Sequence, residues 1–143
     1  MTPFLGYQFE RVEGSDEQIR KLYQLLKKRT HSISHVRLPN YSSHVDFVKN
    51  HPYLHWFTVN DDSDCFGSFY IKNDNSIGLN VIVPTREILS ACVGFIKTNF
   101  SPKAAQASVI SSYFYINVPS SNQEFLDVLN ELEILPLQIS FRI

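Results

Sequence analysis

Apolar positions along the chain recur with two different periods, one typical of helices and one typical of strands. Helical spacing follows a capping box at Ser15 and another at Ser121, and it recurs in a short segment from Ser43 and in a longer one from Arg86. Other segments alternate apolar with polar residues, or are rich in β-branched and aromatic residues, as strands are. The predicted strands are residues 7–12, 55–60, 65–72, 76–83, 109–118 and 137–143.

The order of these elements indicates the fold class. The predicted order is β-α-α-β-β-β-α-β-α-β, in which polar turns at residues 61–64 and 73–75 join three strands into an antiparallel meander. Later strands alternate with helices, which is typical of parallel crossovers. The pattern therefore predicts one α/β (α+β) domain over residues 1–143, with a mixed sheet of six to seven strands and flanking helices.

Composition indicates which kinds of partner the protein can bind and in which cellular compartment it is expected. The 143 residues are 43% hydrophobic and carry a formal charge of −1, so the chain has no excess of positive charge to bind nucleic acid. No segment approaches the roughly 18 apolar residues that span a bilayer. The two cysteines, Cys65 and Cys92, lie in apolar runs where reduced, buried thiols are the usual state. We expect a cytoplasmic protein that binds neither nucleic acid nor a membrane.

Four stretches carry a resemblance to a known family. Residues 67–71 and 77–84 are similar to the third and fourth strands of the GNAT superfamily of N-acetyltransferases. Residues 116–118 with Asn122 resemble its fifth strand and the start of the next helix, and residues 138–142 resemble its last strand. The resemblance covers the chain from Tyr7 to Ile143. It implies transfer of an acetyl group from acetyl-CoA, as cosubstrate, to a primary amine, with the pantetheine arm on the fourth strand.

The resemblance also implies the cofactor-binding residues. They are Leu79, Asn80, Val81, Ile82, Val83, Thr85, Arg86, Glu87, Asn117 and Asn122. Asn80 and Asn117 interrupt strands in which Asn is otherwise disfavoured, which favours a hydrogen-bonding role in a cleft where parallel strands separate. Asn122 has two interpretations of equal weight, as a ligand of pantetheine or as part of a capped helix start.

The sequence departs from the family at two places, one that binds the pyrophosphate and one that protonates the leaving thiolate. The glycine-rich, basic loop that wraps the pyrophosphate is replaced by residues 84–88, which contain no glycine. The helix start at Thr85 and Arg86 is still a plausible anion site through its free N–H groups and dipole. The tyrosine that protonates the leaving thiolate is replaced by Leu129, and Tyr113 or Tyr115 on the preceding strand are the candidate substitutes.

The general base has three histidine candidates, His44, His51 and His55, because imidazole titrates near neutrality and these residues flank the implied acceptor side. For each, a solvated polar residue is the more ordinary interpretation. Residues 44–48, 51–53 and 56–57 also resemble enzymes that acylate amino groups on sugar nucleotides for surface polysaccharides. This second resemblance suggests an amino sugar nucleotide as the acceptor.

The sequence also bears on metal binding, on cysteine chemistry and on a second function. The pairs His31/His35 and His51/His55 have the i, i+4 spacing of helical metal ligands, but neither has a third ligand, so no metal is expected. Cys92, on an apolar helix face, is expected to pack rather than react. The alternative function is a catalytically degenerate GNAT-fold module that binds a protein or small ligand. The aromatic content is also compatible with an exposed patch and a homodimer.

Overall fold

The computed structural model describes residues 1–29, 37–62, 64–106 and 111–143. Within these residues one mixed sheet has six strands in the order of the chain. They are β1 (Thr2–Phe4), β2 (Tyr7–Arg11), β3 (His55–Asn60), β4 (Cys65–Ile71), β5 (Ser76–Val81) and β6 (Tyr115–Asn117). The first five strands pair antiparallel with their neighbours, and β6 pairs parallel with β5. The predicted fold class is therefore confirmed.

Four helices flank this sheet in the described residues, and their starts show how local sequence sets them. They are α1 (Asp16–Lys28), α2 (Tyr41–Lys49), α3 (Arg86–Asn99) and α4 (Gln123–Glu131). The predicted capping box at Ser15 is present, and Thr85 caps α3. The other two starts differ from prediction. Asn40 and Asn122 are the caps of α2 and α4, because each side chain accepts an N–H bond from the residue three positions on.

The sheet separates two apolar layers. Alternate side chains of β3 point to opposite faces, so that Trp56 joins α1 and α2 while Phe57 and Val59 join α3 and α4. The layer on the α3 side is the larger one and contains stacked Phe9 and Phe95, with ring centroids 4.1 Å apart. Burial of these two faces supplies the main driving force for folding.

The described strands differ from the prediction most in three places. Thr2–Phe4 forms an additional edge strand, which turns into β2 through Leu5 and Gly6 at positive φ. The strand predicted at 109–118 is reduced to Tyr115–Asn117, and residues 107–110 lie outside the described residues. Residues 137–143 form no strand, because they pair with no other strand of the described structure. No helix among the described residues is long and apolar enough to cross a membrane.

Candidate functional site

The two parallel strands β5 and β6 separate shortly after they begin. They pair only at Ser76 with Tyr115, Ile77 with Ile116, and Gly78 with Asn117. Among the described residues, nothing pairs with β5 on this side beyond Gly78. Parallel strands that separate leave backbone polar groups and side chains of both exposed to one cleft. We refer to this opening, between Leu79–Val81 of β5 and the residues that follow Asn117, as the cleft.

The backbone of β5 presents hydrogen-bonding groups to the cleft. Ile82 N–H donates to Phe66 O at 2.9 Å, and Lys72 N–H donates to Ser76 O at 2.9 Å. Hydrogen bonding alternates along an antiparallel ladder, so the amides of even-numbered residues face β4 and those of Leu79 and Val81 face the cleft. A linear ligand with amide groups could therefore add to β5 as a further strand would.

The apolar side chains along β5 and just after it become more exposed toward the end of the strand. Leu79 and Val81 pack partly against the core on the α3 side of the sheet. Ile82 and Val83, at the mouth of the cleft, are 37% and 57% exposed. Exposed branched side chains beside an unpaired strand edge offer apolar contact to a ligand that also uses the backbone.

The N-terminus of α3 follows the end of β5 directly. Thr85 Oγ1 accepts the N–H of Ile88 at 3.3 Å, which leaves the N–H groups of Arg86 and Glu87 as the free donors of the first turn. The Arg86 guanidinium lies 3.6 Å from the Glu131 carboxylate, and both side chains are more than half exposed. Such a pair is weak and can exchange for another anion. The Glu87 carboxylate complements the helix dipole but would repel a bound phosphate.

Two asparagines lie on the β6 side of the cleft. Asn117 is exposed and pairs with Gly78 where the strands separate. Asn122 Oδ1 accepts the N–H of Phe125 at 3.3 Å, so Asn122, and not the predicted Ser121, is the cap of α4. Among the described residues, its side-chain NH₂ has no acceptor, so the cap does not prevent it from donating to a ligand. Of the predicted cofactor-binding residues, 79–83 lie on or just after β5, 85–87 begin α3, Asn117 ends β6 and Asn122 caps α4.

A row of side chains on the α1 face leads to the point where the strands separate. Trp56, Tyr70, Gly78 and Asn117 are successive cross-strand neighbours. The Tyr70 ring lies over Gly78, since a β-carbon at Gly78 would be 2.0 Å from Tyr70 Cζ and 2.4 Å from its hydroxyl oxygen. Tyr70 also stacks on Tyr53 with ring centroids 3.8 Å apart.

This row includes residues that the sequence analysis did not select. The Tyr70 hydroxyl lies beside the cleft. The pKa of its stacking partner Tyr53 is raised, first by burial and then by the neighbouring Tyr70. Trp56 Nε1 is buried and has no acceptor in the described structure. A glycine opposite an aromatic residue in a predicted meander was the available signal, because a strand interior disfavours glycine unless something lies over it.

Two of the three histidine candidates, His44 and His55, lie away from the cleft. His44 is buried between α1 and α2 with Nε2 2.9 Å from Ile19 O, and burial lowers its pKa. His55 begins β3 at the opposite end of the sheet, with its ring 4.3 Å from that of Phe100. His51 lies beside the row that leads to the cleft: its Nδ1 accepts the Tyr53 N–H at 3.2 Å, and its ring centroid is 5.6 Å from that of Tyr53 and 5.0 Å from that of Trp56. None of their described contacts reaches β5 or β6.

The two tyrosines proposed as thiolate acids lie near the closed end of the β5–β6 pair. Tyr115 Oη is 3.4 Å from Asp74 Oδ2, in the turn that precedes β5, and burial, followed by Asp74, raises the pKa of Tyr115. Tyr113 precedes β6 and is 48% exposed. Leu129 is buried in the core, so α4 offers no hydroxyl at that position.

Other candidate centres remain separate from the cleft. No three His, Cys, Asp or Glu side chains of the described residues lie close enough to hold a metal, and His31 and His35 lie outside those residues. Burial raises the pKa of Cys92 to about 12, which keeps its thiol protonated. A depression of about 500 Å³ lies beside β2 and the end of α3, and its lining includes no residue of β5 or β6.

Comparison with known proteins gives a structural likeness only. No protein family and no curated protein sequence matches the chain. The crystal structure of a possible acetyltransferase from Clostridium difficile 630 superposes with a TM-score of 0.57 at 11% identity, covering 96% of this chain and 95% of that one. An aminoglycoside acetyltransferase from an uncultured soil metagenomic sample, in complex with sisomicin, gives 0.53 at 11% identity with the same coverage. The chain therefore shares the fold of these acetyltransferases.

Proposed function

We propose that the protein is an N-acyltransferase that moves an acetyl or similar acyl group from a coenzyme A thioester to a primary amine. The separation of β5 from β6, with the start of α3 at the end of β5, is the observation that carries this proposal. It offers an amide-lined edge and an anion site in the linear order in which coenzyme A presents its pantetheine arm and its pyrophosphate. The fold shared with acetyltransferases supports the same assignment.

The carrier would lie along the cleft with its pantetheine amides on the backbone of Leu79 and Val81. Ile82 and Val83 would cover its methylene groups, and Asn117 and Asn122 would donate from the β6 side. The pyrophosphate would meet the free N–H groups of α3 and Arg86. Because the chain lacks a glycine-rich loop and has Glu87 at this site, we expect weaker phosphate binding than a wrapped loop gives.

Acyl transfer in this cleft is one displacement. The nitrogen of the neutral amine forms a bond to the acyl carbon and the carbon–sulfur bond breaks. The nitrogen loses a proton to solvent water, and the thiolate takes a proton from a side-chain acid that water then reprotonates. An N–H of β5 that faces the cleft would polarise the thioester carbonyl. Among the tyrosines, Tyr70 has its hydroxyl beside the point of strand separation, so we propose Tyr70 as the proton donor to sulfur.

The acceptor would approach from the α1 face, over the stacked rings of Tyr53 and Tyr70. The flat aromatic surface of Tyr53 and Tyr70 suits a cyclic, hydroxylated amine. We therefore propose an amino sugar as the acceptor class, and an amino sugar nucleotide as one member of it.

The test is release of free thiol from acetyl-CoA in the presence of a panel of primary amines that begins with amino sugars. We expect amine-dependent thiol release, and a loss of at least about tenfold in kcat for Tyr70→Phe. Tyr41→Phe, a 43% exposed tyrosine of α2, is the matched control and should retain activity. Thiol release that no amine stimulates would contradict the proposal, and full activity in Tyr70→Phe would contradict the role of Tyr70.

A degenerate binding module is the second candidate. Two observations favour it: an acidic side chain stands at the start of α3, and Leu129 occupies core space on α4. This candidate predicts that acetyl-CoA does not bind at all, whereas the enzyme requires that it does. Binding of the carrier therefore separates the two candidates before any acceptor is known.

A further inference from the structure

The last nine residues combine a strand pattern with full exposure. In residues 135–143, here named the C-terminal segment, Leu137, Ile139 and Phe141 alternate with polar residues and are 62%, 78% and 85% exposed. No hydrogen bond or strand pairing is present for these residues within the described structure. A row of large apolar side chains on one face of an extended chain is the pattern of a half-buried strand, so it is unfavourable in water.

The same protomer offers an open sheet edge that such a strand could use. β6 is the last strand of the sheet, and its outer edge has no partner among the described residues. Ile116, with Phe114 and Val118 beside it, packs partly against the α3 and α4 core. A strand added there would extend the core with its apolar face. The opposite edge is less suitable, because Pro3 at the centre of β1 has no N–H to donate to an added strand.

We propose that the C-terminal segment of one copy pairs with the outer edge of β6 in a second copy, and that the exchange is reciprocal. Each protomer presents one strand-forming segment and one open edge, so two copies satisfy both with two-fold symmetry and leave neither exposed. A second copy is the occupant because the segment of the same chain stands away from its own β6, with every residue from 135 onward exposed. This proposal is independent of the proposed chemistry.

The experiment measures mass by light scattering after size exclusion, over a range of concentrations of the full chain. The double variant Ile139→Asp/Phe141→Asp changes two side chains of the apolar row, and it should weaken dimerisation roughly a hundredfold or more. Ser140→Asp changes the opposite face of the same segment and is the matched control. Both variants should keep the circular dichroism of the wild type, because these side chains make no contact within the protomer.

Hydrogen exchange gives the second readout, which locates the interface. In the dimer, the backbone amides of residues 137–143 should be protected, and dilution to the monomer should remove that protection. A monomeric wild type would overturn the proposal. So would a dimer that persists in the double variant, or a monomer whose C-terminal segment is already protected by its own sheet.

Discussion

The contact between Tyr70 and Gly78 gives the sharpest prediction, because one added methyl group tests it. A β-carbon at Gly78 would lie 2.0 Å from Tyr70 Cζ, well inside van der Waals contact. In Gly78→Ala the Tyr70 ring must therefore move, and it then loses its stack on Tyr53. Packing an extra methyl group costs about 1–3 kcal/mol, and an aromatic pair contributes about 0.5–1.5 kcal/mol.

The unfolded state partly offsets this cost. Replacing Gly by Ala in an extended strand restricts the unfolded chain and stabilises the fold by about 0.4–1 kcal/mol. We expect Gly78→Ala to lower the free energy of unfolding by about 2 kcal/mol, measured by denaturant titration. Because Tyr70 is the proposed proton donor, its displacement should also reduce thiol release.

Repeating Gly78→Ala in two Tyr70 variants tests whether the Tyr70 ring causes the loss of stability. In Tyr70→Phe the ring carbon that collides is still present, so Gly78→Ala should remain costly. In Tyr70→Ala the space is empty, and Gly78→Ala should be neutral or slightly stabilising. An equal cost in all three backgrounds would refute the claim that the Tyr70 ring lies over Gly78.

Three further predictions concern the turn, α1–α2 contact and anion site. Asn75 is 1% exposed, and its side chain forms three hydrogen bonds with the segment before β6. Asn75→Ala should therefore lower the free energy of unfolding, measured by denaturant titration, by about 3 kcal/mol. Asn73→Ala, at an exposed position of the same turn, should change it by less than about 0.5 kcal/mol. Burial lowers the pKa of His44 below its ordinary 6.5, so the unfolded state binds more protons and stability should fall as pH drops through about 6.5. The pKa values of His51 and His55 are lowered as well, so the contribution of His44 has to be separated from theirs. In denaturation measured across pH, His44→Gln should lose less free energy of unfolding on acidification than the wild type does. Glu87→Gln removes a negative charge from the α3 start and should raise acetyl-CoA affinity about threefold by calorimetry, while Glu124→Gln on α4 should not.

The elements that depend on local sequence were predictable. The Ser15 capping box specifies its own hydrogen bonds, so the start of α1 was predicted correctly. Alternation from Cys65 to Ile71 reports the two apolar layers of the sheet, so the meander followed as well. These signals need no knowledge of distant partners.

The elements that depend on distant partners were not. Residues 137–143 have the alternation of a strand, but alternation does not bring a neighbouring strand alongside, and among the described residues no strand pairs with them. His44 was selected because imidazole titrates near neutrality, yet its ring joins α1 to α2 through the Ile19 carbonyl, a contact between residues 25 positions apart. Tyr70, the proposed proton donor, was not selected because its position over Gly78 follows from strand register, which the residues alone do not fix.

The cleft itself was predictable in outline. Asn80 and Asn117 in apolar strands indicated that two strands separate, and the pairing of β5 with β6 stops at Gly78 and Asn117. Which backbone amides face the opening could not be predicted, because that depends on the register of β4 with β5.

Calorimetric titration with acetyl-CoA tests the central claim most directly, since the enzyme requires the carrier to bind in the cleft. We predict a dissociation constant in the micromolar range, about −8 kcal/mol, with weaker binding of a pantetheine fragment that lacks the pyrophosphate. Absence of binding up to millimolar acetyl-CoA would contradict the acyltransferase and favour the binding module.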